Sequence, residues 1–213
     1  MQPTYLPWLG YFDLIEKADV FVFLNHVQFS KQSWQQRNKI RDKNGELILT
    51  IPIKHGNHKD TLIKDVLIDT TKKPLIKHLK SIEMNYRKAK NFPVVMEELQ
   101  KIYLDDYETL QELNIDLIKL GCKLQNISSE FVLSSDLDVQ GQKVDALIDI
   151  CKKLEATHYL SPVGSKDYID ENNIFAANNI SLEYQNYKHP VYQQRDFDNF
   201  ISHLSFIDYL FNI

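Results

Sequence analysis

The chain has 213 residues, 43% apolar and 25% charged, with a formal net charge of −4. That composition suits a globular protein with a sizeable core. It argues against a dedicated nucleic-acid binder, which needs a basic field, and no run approaches the about 18 apolar residues of a membrane helix. Asp13 and Glu16 come early with no basic segment before them, so no secretory signal and no membrane insertion are expected. Cys122 and Cys151 stand apart without CxxC spacing, and Cys151 falls on an apolar helical stripe, as a buried thiol in a reducing cytoplasm would.

In chain order, residues 9–18 read as a short helix and 20–24 (VFVFL) as a buried strand. Residues 38–53 read as a hairpin turning at Asp42-Lys43-Asn44-Gly45, where Asn-Gly supplies positive φ. The alternation in 63–69 (IKDVLID) predicts a further strand. Helical spacing then links Leu75, Leu79, Ile82 and Tyr86, next Val95, Leu99 and Ile102, and next Leu110, Leu113, Leu117 and Leu120. Asn114 lies inside the last stripe, and a buried amide there predicts a hydrogen-bonded tie to another element. Beyond it, strands at 130–133, 157–161 and 180–187 alternate with helices at 141–156 and 164–170, and a helix closes the chain. Such alternation argues parallel βαβ units. The expected fold class is therefore α/β: an open, mainly parallel sheet with flanking helices, a β-hairpin and a helical insertion at about 38–125, all in a single domain over 1–213.

Open α/β sheets bind ligands beyond the carboxyl ends of their strands. Polar clusters follow the four candidate strands: Asn25-His26-Val27-Gln28, Ser134-Ser135-Asp136, Ser161-Pro162-Val163-Gly164-Ser165, and Asn186-Tyr187-Lys188-His189-Pro190. Parallel strands would bring Gln28, Ser134, Ser161 and His189 to one rim, although capping and loop formation also account for such clusters. His78, beside Lys77 at the edge of a helical stripe, and His189, extended before Pro190, are candidate general bases as well as candidate structural histidines. The serines Ser134 and Ser161 are candidate donors to an oxyanion.

The stretch VQFSKQSWQQRNKI, 27–40, has neither strand nor helix periodicity. Passing over the rim, it would bring Lys31 and Arg37 to anionic groups, Trp34 to a sugar or base face, and Gln28 and Asn38 to hydroxyls or amides. The alternative for Trp34 is a core anchor. No Walker loop, GxGxxG, GxSxG elbow or HExxH is present, and His55 and His58 flank a Gly-Asn pair as in a solvated loop, so no cofactor and no metal are expected.

The segments QPTYLPWLGYF, ADVFVFLNHVQFSKQSWQQRNKI, LTIPI, KHLKSIEMNY, SSDL, YLSPVGSKDYID and HPVYQQ, then HLSFIDYLFN, resemble the WbqC-like family along nearly the whole chain. The resemblance implies a role in bacterial O-antigen or related polysaccharide biosynthesis. It implies aminoacyl transfer, with glycyl transfer the case suggested for some members, forming an amide on an amino sugar. The implied partners are a nucleotide-linked amino sugar and an aminoacyl-tRNA or carrier-protein donor. Gln2, Tyr5, Trp8 and Tyr11 of the opening motif and Lys77 join the implied substrate-binding set. A non-catalytic nucleotide-sugar or glycan binder, or a nucleotidyltransferase-like enzyme, are the alternative readings. In the family a short apolar strand precedes QPxY, whereas Met1 here stands directly before Gln2, so a shortened or missing first strand is expected.

Overall fold

A computed structural model describes residues 1–54, 60–169, 173–194 and 199–213. The candidate loop histidines His55 and His58 lie outside the described residues. In chain order come α1 (Leu9–Glu16), β1 (Val20–Phe23), β2 (Arg37–Asp42), β3 (Gly45–Thr50), α2 (Pro74–Tyr86), α3 (Phe92–Tyr103), α4 (Leu110–Leu124) and β4 (Glu130–Leu133). They are followed by α5 (Val144–Lys153), β5 (His158–Ser161), α6 (Lys166–Ile169), α7 (Ile174–Ala177), β6 (Ser181–Tyr184) and α8 (Phe206–Asn212).

The fold is α/β with small open sheets. β1 pairs in parallel with β4, Phe21 opposite Phe131, and β5 pairs in parallel with β6, Tyr159 opposite Leu182. β2 and β3 form the antiparallel hairpin, and α2, α3 and α4 follow it. Among the described residues the parallel strands thus come as two pairs, β4–β1 and β5–β6.

Local chemistry explains the boundaries. The hairpin closes with Asp42 opposite Gly45, whose φ of 131° favours glycine, and Asp42 Oδ1 accepts the Asn44 N–H at 2.8 Å. Proline opens α2 and α3, where a missing N–H costs nothing. Thr109 and Glu112 form a reciprocal capping box on α4. Residues 63–69 depart from expectation. They begin with a 3-10 turn, Ile63–Asp65, and then make isolated bridges, Leu67 to Thr109 and Ile68 to Ile53. Their backbone is committed elsewhere: Ile63 N–H donates to Val27 O at 3.0 Å and Lys64 N–H to Asn25 O at 3.1 Å. This segment clamps the loop that leaves β1.

Two apolar clusters form the interior. The larger joins α1, β1, the hairpin, α2 to α4 and α8; the smaller holds Ile148, Cys151, Ile169, Phe175 and Ile180 around β5 and β6. Gly121 of α4 marks a close contact with α1 and α8. A Cβ there would meet the Phe12 ring at 2.4 Å and the Phe206 ring at 3.0 Å. Those rings pack 4.8 Å apart between α1 and α8. Asn114, two turns earlier on the same face, is buried, and its Nδ2 donates to Pro3 O at 3.2 Å and Gln35 O at 2.8 Å. The tie expected from its sequence position therefore runs to the N-terminal turn and the loop after β1.

His78 also lies in the core. Its Nδ1 is 2.7 Å from the Tyr5 hydroxyl, which is 2.5 Å from the Tyr103 hydroxyl. Burial lowers the His78 pKa to about 4, against the opposing effect of a hydrogen bond with the Thr50 backbone. His78 is thus neutral in the folded protein at pH 7.

Two consequences are measurable. Gly121→Ala should destabilise the protein by about 1–3 kcal/mol in urea unfolding, because neither aromatic ring has room to retreat. Stability should also fall on acidification. The folded pKa of His78 lies below its unfolded value, so the unfolded chain binds the extra proton. The contribution is complete above pH 6.5 and lost as pH falls to about 4. It amounts to about 3 kcal/mol. His78→Gln, which keeps an acceptor for Tyr5, should flatten that part of the stability profile relative to the unmutated protein.

Candidate functional site

The carboxyl ends of β1 and β4 carry a connected polar cluster. Asn25 follows β1 and Ser134 follows β4, and the parallel register places them side by side. Asn25 N–H donates to Ser134 Oγ at 3.0 Å, and Ser134 O–H donates back to Asn25 Oδ1 at 3.1 Å. Asn25 Oδ1 also accepts the Ser135 N–H at 2.9 Å, while Asn25 Nδ2 donates to Gln111 Oε1 and Ser135 Oγ at 3.0 Å each. Every polar atom of the Asn25 side chain is therefore used, as its burial demands.

His26 completes this cluster. Its Nδ1 lies 2.6 Å from Ser134 Oγ. With the Ser134 proton directed to Asn25, the network assigns the imidazole proton to Nδ1, which donates to Ser134, and leaves the lone pair on Nε2. His26 is half-buried, and desolvation followed by the nearby Lys64 charge lowers its pKa. It is a neutral imidazole at pH 7, oriented through Nδ1, with no hydrogen bond to Nε2 among the described residues. Ser134 is fully buried, so it positions His26 and is not itself presented to a ligand.

The loop after β1 runs above the N-terminal turn, and its amides explain its composition. Gln35 Oε1 accepts the Ser30 N–H at 3.0 Å, and Gln35 Nε2 donates to Gln2 Oε1 at 2.8 Å. Gln36 Oε1 accepts the Gln32 N–H at 2.9 Å, and Gln36 Nε2 reaches Ile51 O at 3.2 Å. Both glutamines are buried, whereas Trp34 between the loop and the hairpin is 53% exposed. The Trp34 carbonyl accepts the Tyr5 N–H at 2.9 Å, and Lys39 Nζ stands 6.0 Å from its ring centroid. Trp34 is therefore a surface ring on a fixed backbone, not a core anchor. Lys31 is exposed and Arg37 half-buried, and neither pairs with a carboxylate among the described residues. Gln28 is exposed and bridges Leu62 in the clamp segment.

Other sequence candidates occupy structural places. Tyr5 is fully buried in the Tyr103–His78 network, and His78 shares that burial, so neither has surface to offer a substrate. Asn38 is buried, with Nδ2 donating to Tyr5 O at 3.2 Å and Leu6 O at 2.7 Å. The Tyr11 hydroxyl donates to Gln2 O at 2.9 Å from a buried ring. Ser161 is fully buried, 2.5 Å from the Ser165 hydroxyl, which donates to Pro162 O at 2.7 Å; these hydroxyls close the turn after β5. Lys77 is exposed on α2.

His189 belongs to a separate aromatic group. It stacks on His203 at 4.7 Å and lies 6.3 Å from Trp8, which meets Tyr187 edge-on at 5.3 Å. Its Nε2 accepts the His203 N–H at 3.3 Å, and burial together with His203 lowers its pKa. Among the described residues, no hydrogen bond or ring contact joins His189 to the His26 cluster.

Of the four post-strand groups, the structure thus directly connects those after β1 and β4. Asn25, His26, Gln35, Gln111 and Ser135 were absent from the residues singled out for chemistry. His26 carried a readable signal, because it lies in the polar cluster just past β1. Gln111 and Gln35 carried none, since only tertiary packing brings them to Asn25 and Gln2.

The chain was compared with known proteins. The WbqC-like protein family model matches residues 2–213. The Mycobacterium tuberculosis protein Rv1507c, described as uncharacterized, is 30% identical over 214 residues, spanning 100% of this chain and 92% of that relative. No solved structure matches. A family match over almost every residue, with a full-length relative beside it, places the chain in the WbqC-like protein family.

Proposed function

We propose that the protein is an aminoacyl transferase, glycyl transfer being the leading case, which forms an amide on the amine of a nucleotide-linked amino sugar in surface-polysaccharide biosynthesis. The resemblance described above supplies the substrate classes. The observation that carries the reaction type is His26: a neutral imidazole, held through Nδ1 by Ser134, with no partner at Nε2 among the described residues, so that Nε2 would take the proton. Amide formation needs such a base, because the attacking amine must shed a proton.

In this reading the sugar amine attacks the carbonyl carbon of the activated aminoacyl group. The new N–C bond forms, and the nitrogen proton passes to His26 Nε2. The bond from that carbon to the donor oxygen or sulfur breaks, and the proton returns to the leaving group. Lys31 and Arg37 hold the diphosphate of the acceptor, and Trp34 stacks against its sugar or base. Gln2 and Gln28 supply polar contacts beside them.

The direct test incubates the purified protein with a nucleotide-linked amino sugar and each of three glycyl donors: glycyl-tRNA, a carrier-protein thioester and glycyl adenylate. The expected product is the glycyl amide, read by mass. Binding of the nucleotide sugar without product from any donor would overturn the transferase reading in favour of a binding protein.

Three variants sharpen it. His26→Ala should lower the rate by about 10²–10⁴. Because the His26 pKa is lowered and its neutral form is the active one, the acid limb of kcat/KM should lie below pH 6.5 and vanish in that variant. Trp34→Ala should change stability by less than about 0.5 kcal/mol, as exposed positions do, while raising the Kd for the nucleotide sugar. Arg37→Lys should leave Tm unchanged and weaken diphosphate binding, since the forked contact is lost although the charge remains.

A further inference from the structure

Seven cations gather on and around α2. Lys72 and Lys73 precede it, and Lys77 and Lys80 lie on it. Arg87, Lys88 and Lys90 follow it, and Glu83 is the one carboxylate between positions 72 and 90. The whole chain is net negative at −4, so this excess is local. All seven residues are exposed. Of the seven, only Lys72 has an ion-pair partner among the described residues, Asp69 at 3.6 Å. Cations on the two following helices are neutralised. Lys101 of α3 meets Glu98 at 2.6 Å and Glu97 at 3.2 Å, and Lys123 of α4 meets Glu98 at 2.7 Å.

Helix stability does not account for the arrangement. Arg87, Lys88 and Lys90 stand at the C-terminal end, where the helix dipole favours cations. Lys72, Lys73 and Lys77 crowd the N-terminal end, where it opposes them, and the first turn holds no acid. Like charges one turn apart, such as Lys77 and Lys80, also repel each other. Two apolar side chains interrupt the charge: Met84 is 68% exposed and Ile76 36%. The spacing of Lys73, Lys77, Lys80, Met84 and Arg87 puts Met84 in one outward stripe with four cations, over about 20 Å of helix. The inner face is fixed in the core. His78, Leu79, Ile82 and Tyr86 are buried, and the Tyr86 hydroxyl donates to Asp208 Oδ1 at 2.7 Å and accepts the Arg41 N–H at 2.9 Å. That apolar face is therefore not available to a lipid surface. A nucleic acid would pair the cations but set Met84 and Ile76 against a charged backbone. An acidic protein surface with an apolar residue among its carboxylates matches both features.

We propose that the outer face of α2 docks an acidic partner protein that presents carboxylates around an apolar side chain. In the transfer proposed above, this partner is the carrier protein that bears the aminoacyl thioester. That identification rests on the transferase reading, whereas the docking face rests on α2 itself.

The test measures binding of an acidic carrier protein, with its phosphopantetheine arm but no acyl group, by calorimetry at low and high salt. The unmutated protein should bind it, more weakly as salt rises. Lys73→Glu combined with Lys80→Glu should raise Kd at least about tenfold. Tm should stay equal or rise in that variant, because an acid at the N-terminal end suits the dipole. Met84→Ser should raise Kd at least about threefold at unchanged Tm, and should leave binding of polyglutamate, which offers charge alone, unaltered. No binding of the carrier protein, or binding indifferent to Met84, would overturn the proposal. Tighter binding of deacylated tRNA than of the carrier protein would overturn it too, and make the face an RNA site. Failure of the transferase reading has a different signature: carrier protein bound through α2, with no glycyl amide formed from any donor, leaves the docking face standing.

Discussion

The N-terminal turn, Pro3 to Trp8, depends on a few amide side chains, and much of the fold depends on that turn. Its backbone is buried yet belongs to no helix and no extended ladder. Asn114 of α4 donates to Pro3 O, and Asn38 of β2 donates to Tyr5 O and Leu6 O. The Tyr5 N–H finds Trp34 O, and Pro7 O accepts the Phe206 N–H at 2.8 Å. Leu6 has a φ of 44°, a conformation L-residues adopt at a cost and hold only when surroundings enforce it. Helix α4, the hairpin, the loop after β1 and α8 thus all meet on one irregular segment. An unpaired carbonyl there would cost about 1–3 kcal/mol, so these contacts also fix where the elements sit.

This arrangement explains which parts of the fold were legible. Elements with a clear period were: β1, the hairpin, the three central helices, and the alternating strands and helices after residue 130. Asn114 was legible because a polar side chain interrupts an apolar stripe and must have a partner. Residues 63–69 were not, since alternation reports burial and not what the backbone bonds to; the loop at 25–29 claims those groups. The division of the parallel strands into two pairs was equally hidden. Nothing in the residues of β1 or β5 tells which edge lacks a neighbour.

The candidate site was legible in position more than in membership. Topology pointed to the carboxyl ends of the strands, and the strongest polar cluster lies there, after β1 and β4. Motif reading gave weight to Tyr5, His78 and Asn38, residues whose side chains prove to be internal fastenings. A motif shows that positions matter together without separating those that meet a ligand from those that hold the turn. Trp34 illustrates the converse. Its ring is exposed because the neighbouring glutamines fold inward and perform the structural work, a division that composition alone cannot express.

The chemistry of His26 follows from the neutrality of its partner. A carboxylate at Nδ1 would favour the imidazolium and raise its pKa. Ser134, an uncharged hydroxyl, orients the ring without that effect, while desolvation and Lys64 act the other way. Such an imidazole is a weak base. It would extract a proton poorly from an alkylammonium ion, but the nitrogen of a tetrahedral addition intermediate is far more acidic than the free ammonium. In the proposed reaction the natural moment for His26 is therefore after attack, with the amine arriving already neutral. If the acceptor sits beside Lys31 and Arg37 as proposed, their positive field favours that order too, since it lowers the pKa of the acceptor's ammonium group. On that proposal, the cations of the loop and the uncharged hydroxyl behind His26 serve the same step.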